Sequence, residues 1–465
     1  MASQIAGFQA SKSRPSARHS AAGPWGYPGV GVLPRIALDP VGFLMSSAQQ
    51  YGSIFKLPMG FTDAYVLSHP DQLQHIVQER NQNYIKGRLW TPLRMLLGNG
   101  VGVSEGSFWL RQRRMMQPQF HAERLSALAA MLSETIADGL TQWRPLAEQR
   151  AGSPIDLVQE MGKIALTAST KALLGGDLPV AAASEICRAV HQALDTMFLP
   201  LLTHWAPSWV PVPGAQRFKA SIRAIDRAVY ELIEQRRRDL LPRYDLLSLL
   251  LSARDSETGR AMTDQQLRDE VVTMFLASYE PVVTTLSWAW ILLGQHPAVE
   301  HRLREEVRRV LGTRLPTAED LGRLPYTKSV LQETLRLYPP VWLLIREAAE
   351  SDVVGGVAIP AGATVLGFTY GVHRDPRFWH HPESFDPERF LGANAAAQRR
   401  YSYLPFGAGA HKCIGEHYAL MEAQLFLTLI LQNYQVRITP GQRIRPRATF
   451  TLRPGSGVLA TLQPA

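Results

Sequence analysis

Three stretches of the chain, Leu125 to Trp143, Asp156 to Leu174 and Ala220 to Arg238, carry apolar residues at three- and four-residue spacing with few β-branched clusters. That periodicity belongs to helices that each bury one face, so helix must pack on helix. With 465 residues, 46% of them hydrophobic, the chain can build one large core with subregions. A fourth helix is marked at its start, where Thr263-Asp264-Gln265-Gln266 supplies a capping box. Its pattern runs to about Gly294, ahead of Pro297, and Pro281 interrupts it. An interior proline deletes the hydrogen bond to the Ala277 carbonyl and crowds that turn, at a cost of about 3 kcal/mol. Strain of this kind in a central helix is often functional.

Strand signals are fewer. SIFKLPMG and DAYVLSHP, separated by a Gly-containing turn, predict a strand pair, and VVGGVAIPAGATVLGF predicts a second pair around a Gly/Pro turn. Two helices follow Glu300, residues 373–412 are rich in loop signals, and a helix from about Gly415 to Asn433 leads into the strand-like QVRI and TFTLRPGSGVLATL. The expected fold is mainly α with a small β-rich portion, in a single domain over residues 23–465. Residues 1–22 are basic and Ser-rich, with no acid before Asp39, and read as a disordered tail or a transit peptide. No uncharged apolar run is long enough for a membrane anchor. Residues 197–215 mix aromatics with four prolines and read as a kinked apolar connection, either a buried loop or a substrate-entry or membrane-touching surface.

Only two cysteines occur, Cys187 and Cys413, too few for a disulfide framework and without a CxxC pair for zinc. A reducing, cytoplasmic setting fits. Cys187, within SEICRAVHQAL, reads as a small buried hydrophobe. The net charge of +9 admits nucleic acid, an anionic surface or an acidic protein partner. Nucleic acid drops out, because the basic residues are dispersed and no nucleic-acid module is present.

Phe406-Gly407-Ala408-Gly409-Ala410-His411-Lys412-Cys413-Ile414-Gly415 places one cysteine at the end of a Gly-rich loop, just before a helix. Orphan N–H groups and the helix dipole there favour a thiolate, and His411 and Lys412 add donors, so the thiol pKa is expected to be lowered. Glycines 407, 409 and 415 would let the backbone approach a flat ligand. The segment resembles the haem-binding loop of the cytochrome P-450 family, F-x-x-G-x-x-x-C-x-G, at every defining position. The resemblance implies haem b (iron protoporphyrin IX) with Cys413 as its metal ligand, and Phe406, His411 and Gly415 among its contacts. A catalytic or regulatory thiol at a helix start is the rival reading.

Other stretches extend the likeness from about Pro24 to the end. Glu333-Thr334-Leu335-Arg336 resembles the family's E-x-x-R helix, and Arg389 in Pro387-Glu388-Arg389-Phe390 resembles the third member of that structural charge network. Such a pair alone would be a solvated surface pair of small value. Trp109 and Arg113 match the W-x-x-x-R helix, and Arg346 matches a further propionate partner.

The likeness fails at one place. Where the family usually reads Ala/Gly-Gly-x-Asp/Glu-Thr-Thr, this chain has Ala277-Ser278-Tyr279-Glu280-Pro281-Val282. The family's threonine hydroxyl orders the hydrogen bonds that deliver protons to O2, and proline cannot donate. The resemblance therefore implies either ordinary hydroxylation or epoxidation, with protons arriving through water held by Glu280, Ser278 or a substrate hydroxyl, or an atypical outcome such as cyclisation, coupling, desaturation or rearrangement. Peroxide-driven turnover and a non-catalytic haem sensor or carrier stand as further alternatives. Specificity is expected from Arg88 to Gly102, residues 197–215, Phe275 to Tyr279 and Val341 to Ile345, an apolar wall suited to a lipophilic small molecule such as a terpenoid, polyketide or fatty acyl chain. No flavin or iron–sulfur segment is fused, so a separate ferredoxin or flavodoxin with its reductase must supply electrons. Arg111, Arg113, Arg114 and Lys412 are its candidate docking face, with a merely solvated basic face as the alternative. The protein is expected to act as a monomer in biosynthesis.

Overall fold

Apolar periodicity does produce helices, and they pack around one that is buried along most of its length. The computed structural model describes residues 21–60, 62–120, 122–148, 152–175, 188–189, 192, 214–238 and 245–465. Residues 1–20, Cys187 and residues 197–213 lie outside the described residues. Helices α1 (Thr91–Leu97), α2 (Gly106–Met116), α3 (Ala122–Thr141), α4 (Leu157–Leu174) and α5 (Ala215–Arg238) precede the long α6 (Asp264–Gln295). After it come α7 (Pro297–Leu311), α8 (Pro325–Leu337) and α9 (Glu416–Asn433).

Local chemistry fixes the ends. The Asp156 side chain caps α4, accepting from the Val158 and Gln159 N–H groups, and Gly175 closes it with a φ of 72°. Both reciprocal bonds of the Thr263–Gln266 capping box open α6.

Contrary to the expected interruption, α6 runs unbroken through Pro281. Almost every residue from Leu267 to Leu293 is buried. Packing on all sides holds the backbone helical even though one internal hydrogen bond is forfeited.

A five-stranded sheet lies beside the helices, built from β1 (Ile54–Pro58), β2 (Asp63–Leu67), β3 (Tyr84–Ile85), β5 (Leu344–Ala348) and β8 (Thr364–Gly367), ordered β1-β2-β8-β5-β3. Here β1 and β2 form the expected antiparallel pair, Ile54 opposite Leu67. The stretch expected as one hairpin makes three strands instead. β6 (Asp352–Val354) and β7 (Val357–Ile359) turn on Gly355 and Gly356, whose φ values are 55° and 84°, and β8 leaves to join the large sheet parallel to β2. The diglycine suits a tight hairpin turn, whereas Pro360 has no N–H to extend a ladder. Near the end, β9 (Tyr434–Ile438) pairs with β12 (Leu459–Pro464), which also pairs with β4 (Ile155–Asp156), and β10 (Pro446–Ala448) pairs with β11 (Leu452–Pro454).

The core follows this division. One apolar cluster joins the helices, and two smaller ones line the faces of the sheet. Trp288 of α6 stacks on Tyr338 at 3.8 Å between centroids, and its indole N–H donates to the Leu452 carbonyl at 2.8 Å. The helical and β-rich parts are thereby locked along one flank of α6.

Candidate functional site

Between α6 and the start of α9 lies a cavity of about 1870 Å³. Cys413 lines it from the loop ahead of α9, and Ala277, Ser278, Glu280 and Pro281 line it from α6. The loop closes on itself through the Cys413 N–H, which donates to the Phe406 carbonyl at 2.9 Å, and Gly415 is the N-cap residue of α9. Gly409 has a φ of +67°, and a Cβ there would sit 1.8 Å from the Val77 carbonyl oxygen. Its glycine is demanded by the segment His75–Glu79 packed behind the loop, not by an approaching ligand as the sequence implied.

The exposed surface of Cys413 faces this cavity, and burial raises its thiol pKa above the ordinary value. A hydrogen bond from Gly415 and the charges of Arg113 and Lys412 pull the other way, while Glu416 adds to the rise. The helix start thus fails to yield the lowered pKa expected of it, because burial outweighs the donors around the thiol. A coordinated metal ion would remove that proton outright.

At one edge the structure brings together Trp109, Arg113, Arg346 and His411, all lining the cavity. Trp109 and Arg113 share one face of α2, and the Trp109 ring lies 4.1 Å from that of His411. Arg113 Nη1 donates to the Lys412 carbonyl at 2.7 Å, and Arg346 Nη1 to the Ile345 carbonyl at 2.8 Å. Two residues missed in the sequence complete the edge. Lys86, 5% exposed, donates to the Ser104 carbonyl at 2.9 Å and approaches His411 Nδ1 at 3.4 Å. Glu105 accepts from the Lys86 N–H at 2.8 Å and lies 3.4 Å from His411 Nε2. Burial pulls Lys86 down to about 8, and Arg346 and Arg94 add to the fall against Glu105. Neither signalled itself, since Lys86 is an isolated lysine in a short strand connection and Glu105 merely precedes a helix.

Charge balance identifies what this edge can hold. Lys86, Arg113 and Arg346 line the cavity there, Arg94 lies beside Lys86, and Glu105 is the carboxylate that acts on Lys86 and Arg346 among the described residues. Cations at this edge outnumber the carboxylate beside them, the complement of a negatively charged ligand. Desolvation lowers the pKa of both arginines.

Behind the thiol, the charge network is assembled from all three expected residues. Arg336, fully buried, makes two 2.7 Å bonds to the Glu333 carboxylate and donates to the carbonyls of His373, Pro382 and Ser384 at 2.8, 2.7 and 3.0 Å. Arg389 Nε reaches Glu333 Oε1 at 3.3 Å. His373, unnoticed in the sequence, carries this network to the thiol loop. Its Nε2 accepts from the Leu404 N–H at 2.8 Å, which leaves Nδ1 to donate to the Arg336 carbonyl at 3.1 Å.

Across the cavity, Glu280 is buried and held by partners invisible in sequence. Thr451 Oγ1, 171 residues away, donates to its Oε1 at 2.5 Å, and Thr284 Oγ1 does so at 3.3 Å. Burial raises the Glu280 pKa, against these bonds and the charge of Arg453. Ser278 Oγ donates to the Phe275 carbonyl at 3.1 Å, and Thr285 Oγ1 to the Pro281 carbonyl at 2.8 Å.

Part of the expected basic docking face is already engaged. Arg114 binds Asp255 at 2.6 Å and Glu257 at 2.5 Å, and Arg111 lies 3.6 Å from Asp255. Arg113 turns inward and Lys412 pairs with Glu416, so local acids neutralise the patch.

Comparison with known proteins agrees with this geometry. The family model described as Cytochrome P450 matches residues 22–460. Cyclooctatin synthase of Streptomyces melanosporofaciens is 35% identical over 447 residues, covering 94% of each chain. Pentalenene oxygenase of Streptomyces avermitilis is 32% identical, covering 92% of this chain and 94% of its own. The crystal structure of the cytochrome P450DA heme domain superposes with a TM-score of 0.85 at 25% identity, over 96% of this chain and 98% of that one.

Proposed function

The chain belongs to the cytochrome P450 family and is a monooxygenase-type oxidoreductase, and from that premise we propose that it binds haem b through Cys413 and oxidises a cyclic terpenoid. One observation carries the haem assignment: the Cys413 thiol lines a cavity whose edge gathers Lys86, Arg113 and Arg346. When bound, haem supplies dioxygen activation at an iron held by thiolate.

The chain's own residues do the rest. Arg113, Arg346 and Lys86 would neutralise the two propionates, and the Trp109 ring packs against His411 at the same edge. Residues of α9 and the loop before it shield the sulfur, while Glu333, Arg336 and Arg389 hold the loop's backbone in place. Opposite, the apolar side chains of Leu93, Leu97, Val101, Met274, Val341 and Leu344 enclose substrate and leave orientation mainly to shape. Glu280, with a raised pKa and Thr451 donating to it, is a buried proton reservoir beside the cavity. With haem in place, Glu280 would be the group beside the cavity that holds and releases a proton, since Pro281 supplies no hydroxyl.

The substrate class rests on the apolar wall and on the cyclooctatin and pentalenene enzymes among the relatives. A second reading, oxidative cyclisation, coupling, desaturation or rearrangement, is favoured by one feature: Pro281 offers no hydroxyl, and the nearby Ser278 and Thr285 hydroxyls are spent on the carbonyls of Phe275 and Pro281. We take the electron donor to be a separate ferredoxin or flavodoxin with its reductase, and the protein to be a cytoplasmic monomer. Among the described residues no helix is long and apolar enough to cross a membrane.

The test is a screen of cyclic terpene hydrocarbons and alcohols for the low-to-high-spin change of the haem spectrum, followed by product analysis with a surrogate reductase pair. The proposal expects a spectral shift and an oxygenated product with terpenoids. Turnover of fatty acyl chains alone would refute the substrate class, and ring-closed or dehydrogenated products would favour the second reading.

A further inference from the structure

Residues 98–103, between α1 and α2, form part of the cavity wall, with Val101 and Gly102 lining it beside Thr273 and Met274 of α6. Glycines alternate along this segment because it lies flat on α6. A Cβ at Gly98 would fall 2.0 Å from Asp269 Oδ1, one at Gly100 would fall 2.1 Å from Thr273 Oγ1, and one at Gly102 would fall 3.2 Å from Thr273 Cγ2. Two intervening amides are held by adjacent carboxylates of the helix. The Asn99 N–H donates to Asp269 Oδ2 at 2.7 Å, and the Val101 N–H donates to Glu270 Oε2 at 3.0 Å.

The two acids differ in support. Asp269 is bonded by Arg268 at 3.1 Å and Gln265 at 2.8 Å, and Arg268 in turn binds Asp226 of α5 at 2.7 Å. Glu270 is 1% exposed and faces the loop, which brings no titratable group between Gly98 and Ser104. Its charged neighbours are Asp269 and, beyond it, Arg268.

We propose that Asp269 and Glu270 latch residues 98–103 onto α6 as the closed wall of the substrate cavity, with Asp269 the permanent anchor and Glu270 the releasable one. The coupling to substrate rests on reading this cavity as the substrate chamber, and the latch itself does not.

Burial pushes the Glu270 carboxyl up to about 8, with Asp269 adding to the rise and the Val101 N–H opposing it. The closed wall therefore keeps a proton that an opened, solvated Glu270 would release. Between the ordinary value of 4.5 and about 8, each rise of one pH unit favours opening by at most about tenfold, and above 8 the dependence ends.

The experiment is hydrogen exchange of the Asn99 and Val101 amides in the holoenzyme between about pH 6 and 8, corrected for intrinsic exchange. Glu270→Gln, which keeps an acceptor but cannot ionise, and Glu270→Ala are measured alongside. Protection of the Val101 amide in the wild type falls as pH rises, stays level in Glu270→Gln and is lost at every pH in Glu270→Ala, while the Asn99 amide, held by Asp269, stays protected throughout. The latch is overturned if Glu270→Ala keeps wild-type protection at Val101 or if Glu270→Gln keeps the wild-type slope. The same variants are titrated with a terpenoid that shifts the haem spectrum, and its dissociation constant follows the amide protection. An affinity that ignores the latch overturns the coupling to substrate while leaving the haem and terpenoid assignments standing.

Discussion

Replacing Arg336 by alanine removes the centre of the structure's most deeply buried charge network. Five hydrogen bonds go: two to Glu333 and one each to the carbonyls of His373, Pro382 and Ser384. The Glu333 carboxylate, itself 0% exposed, keeps only the Asp386 N–H at 3.0 Å and Arg389 at 3.3 Å. Stripping one partner from a buried pair costs about 3–5 kcal/mol, and each orphaned carbonyl adds about 1–3 kcal/mol in isolation. Terms within one network do not sum, so about 5 kcal/mol is the working figure. A domain with about 5–15 kcal/mol of total stability would lose a third or more of it. Arg336→Lys keeps charge without the fork and should lose about half as much. Guanidinium melts of the three proteins, read by tryptophan fluorescence, measure the stability, and haem content per chain reads the effect on the thiol loop. An alanine variant within about 1 kcal/mol of wild type with full haem content would refute the claim that this network supports the loop.

Acid should act through His373, whose pKa burial and the charge of Arg336 lower to about 3 from an ordinary 6.5. Its contribution is complete above pH 6.5 and disappears on descent to about 3, at roughly 1.4 kcal/mol per unit, and a denaturation midpoint flat across that window would contradict this. Gly409→Ala should destabilise the thiol loop by more than about 1 kcal/mol, because a β-carbon meets the Val77 carbonyl, and unchanged melting and haem retention would count against that contact. Pro281→Ala restores the donor for the Ala277 carbonyl and should raise stability by about 1–3 kcal/mol, whereas a fall would mean that α6 is adapted around the ring.

Much of this was legible because periodicity and caps are local. The Thr263–Gln266 box and the Asp156 cap follow from a few neighbouring residues, and so do the helices they start. The thiol loop was legible for a related reason: its cysteine, glycines and following helix are contiguous. Long-range partners were not. Nothing near Glu280 in sequence points to Thr451, and nothing in Lys86 or Glu105 announces that sheet and helix will bring them to His411. The same limit explains one misjudged feature. A thiol at a helix start was expected to ionise, but desolvation depends on what the whole chain packs around it. The pairing of Arg111 and Arg114 with Asp255 was likewise beyond the sequence.

The central claim is a bond between Cys413 and iron. Cys413→Ser should be prepared with haem, reduced, exposed to carbon monoxide and compared with wild type by absorption. The account predicts that the wild type shows the red-shifted Soret band of thiolate ligation and that the serine variant loses it while retaining its fold by circular dichroism. A serine variant with the same red-shifted band would contradict it.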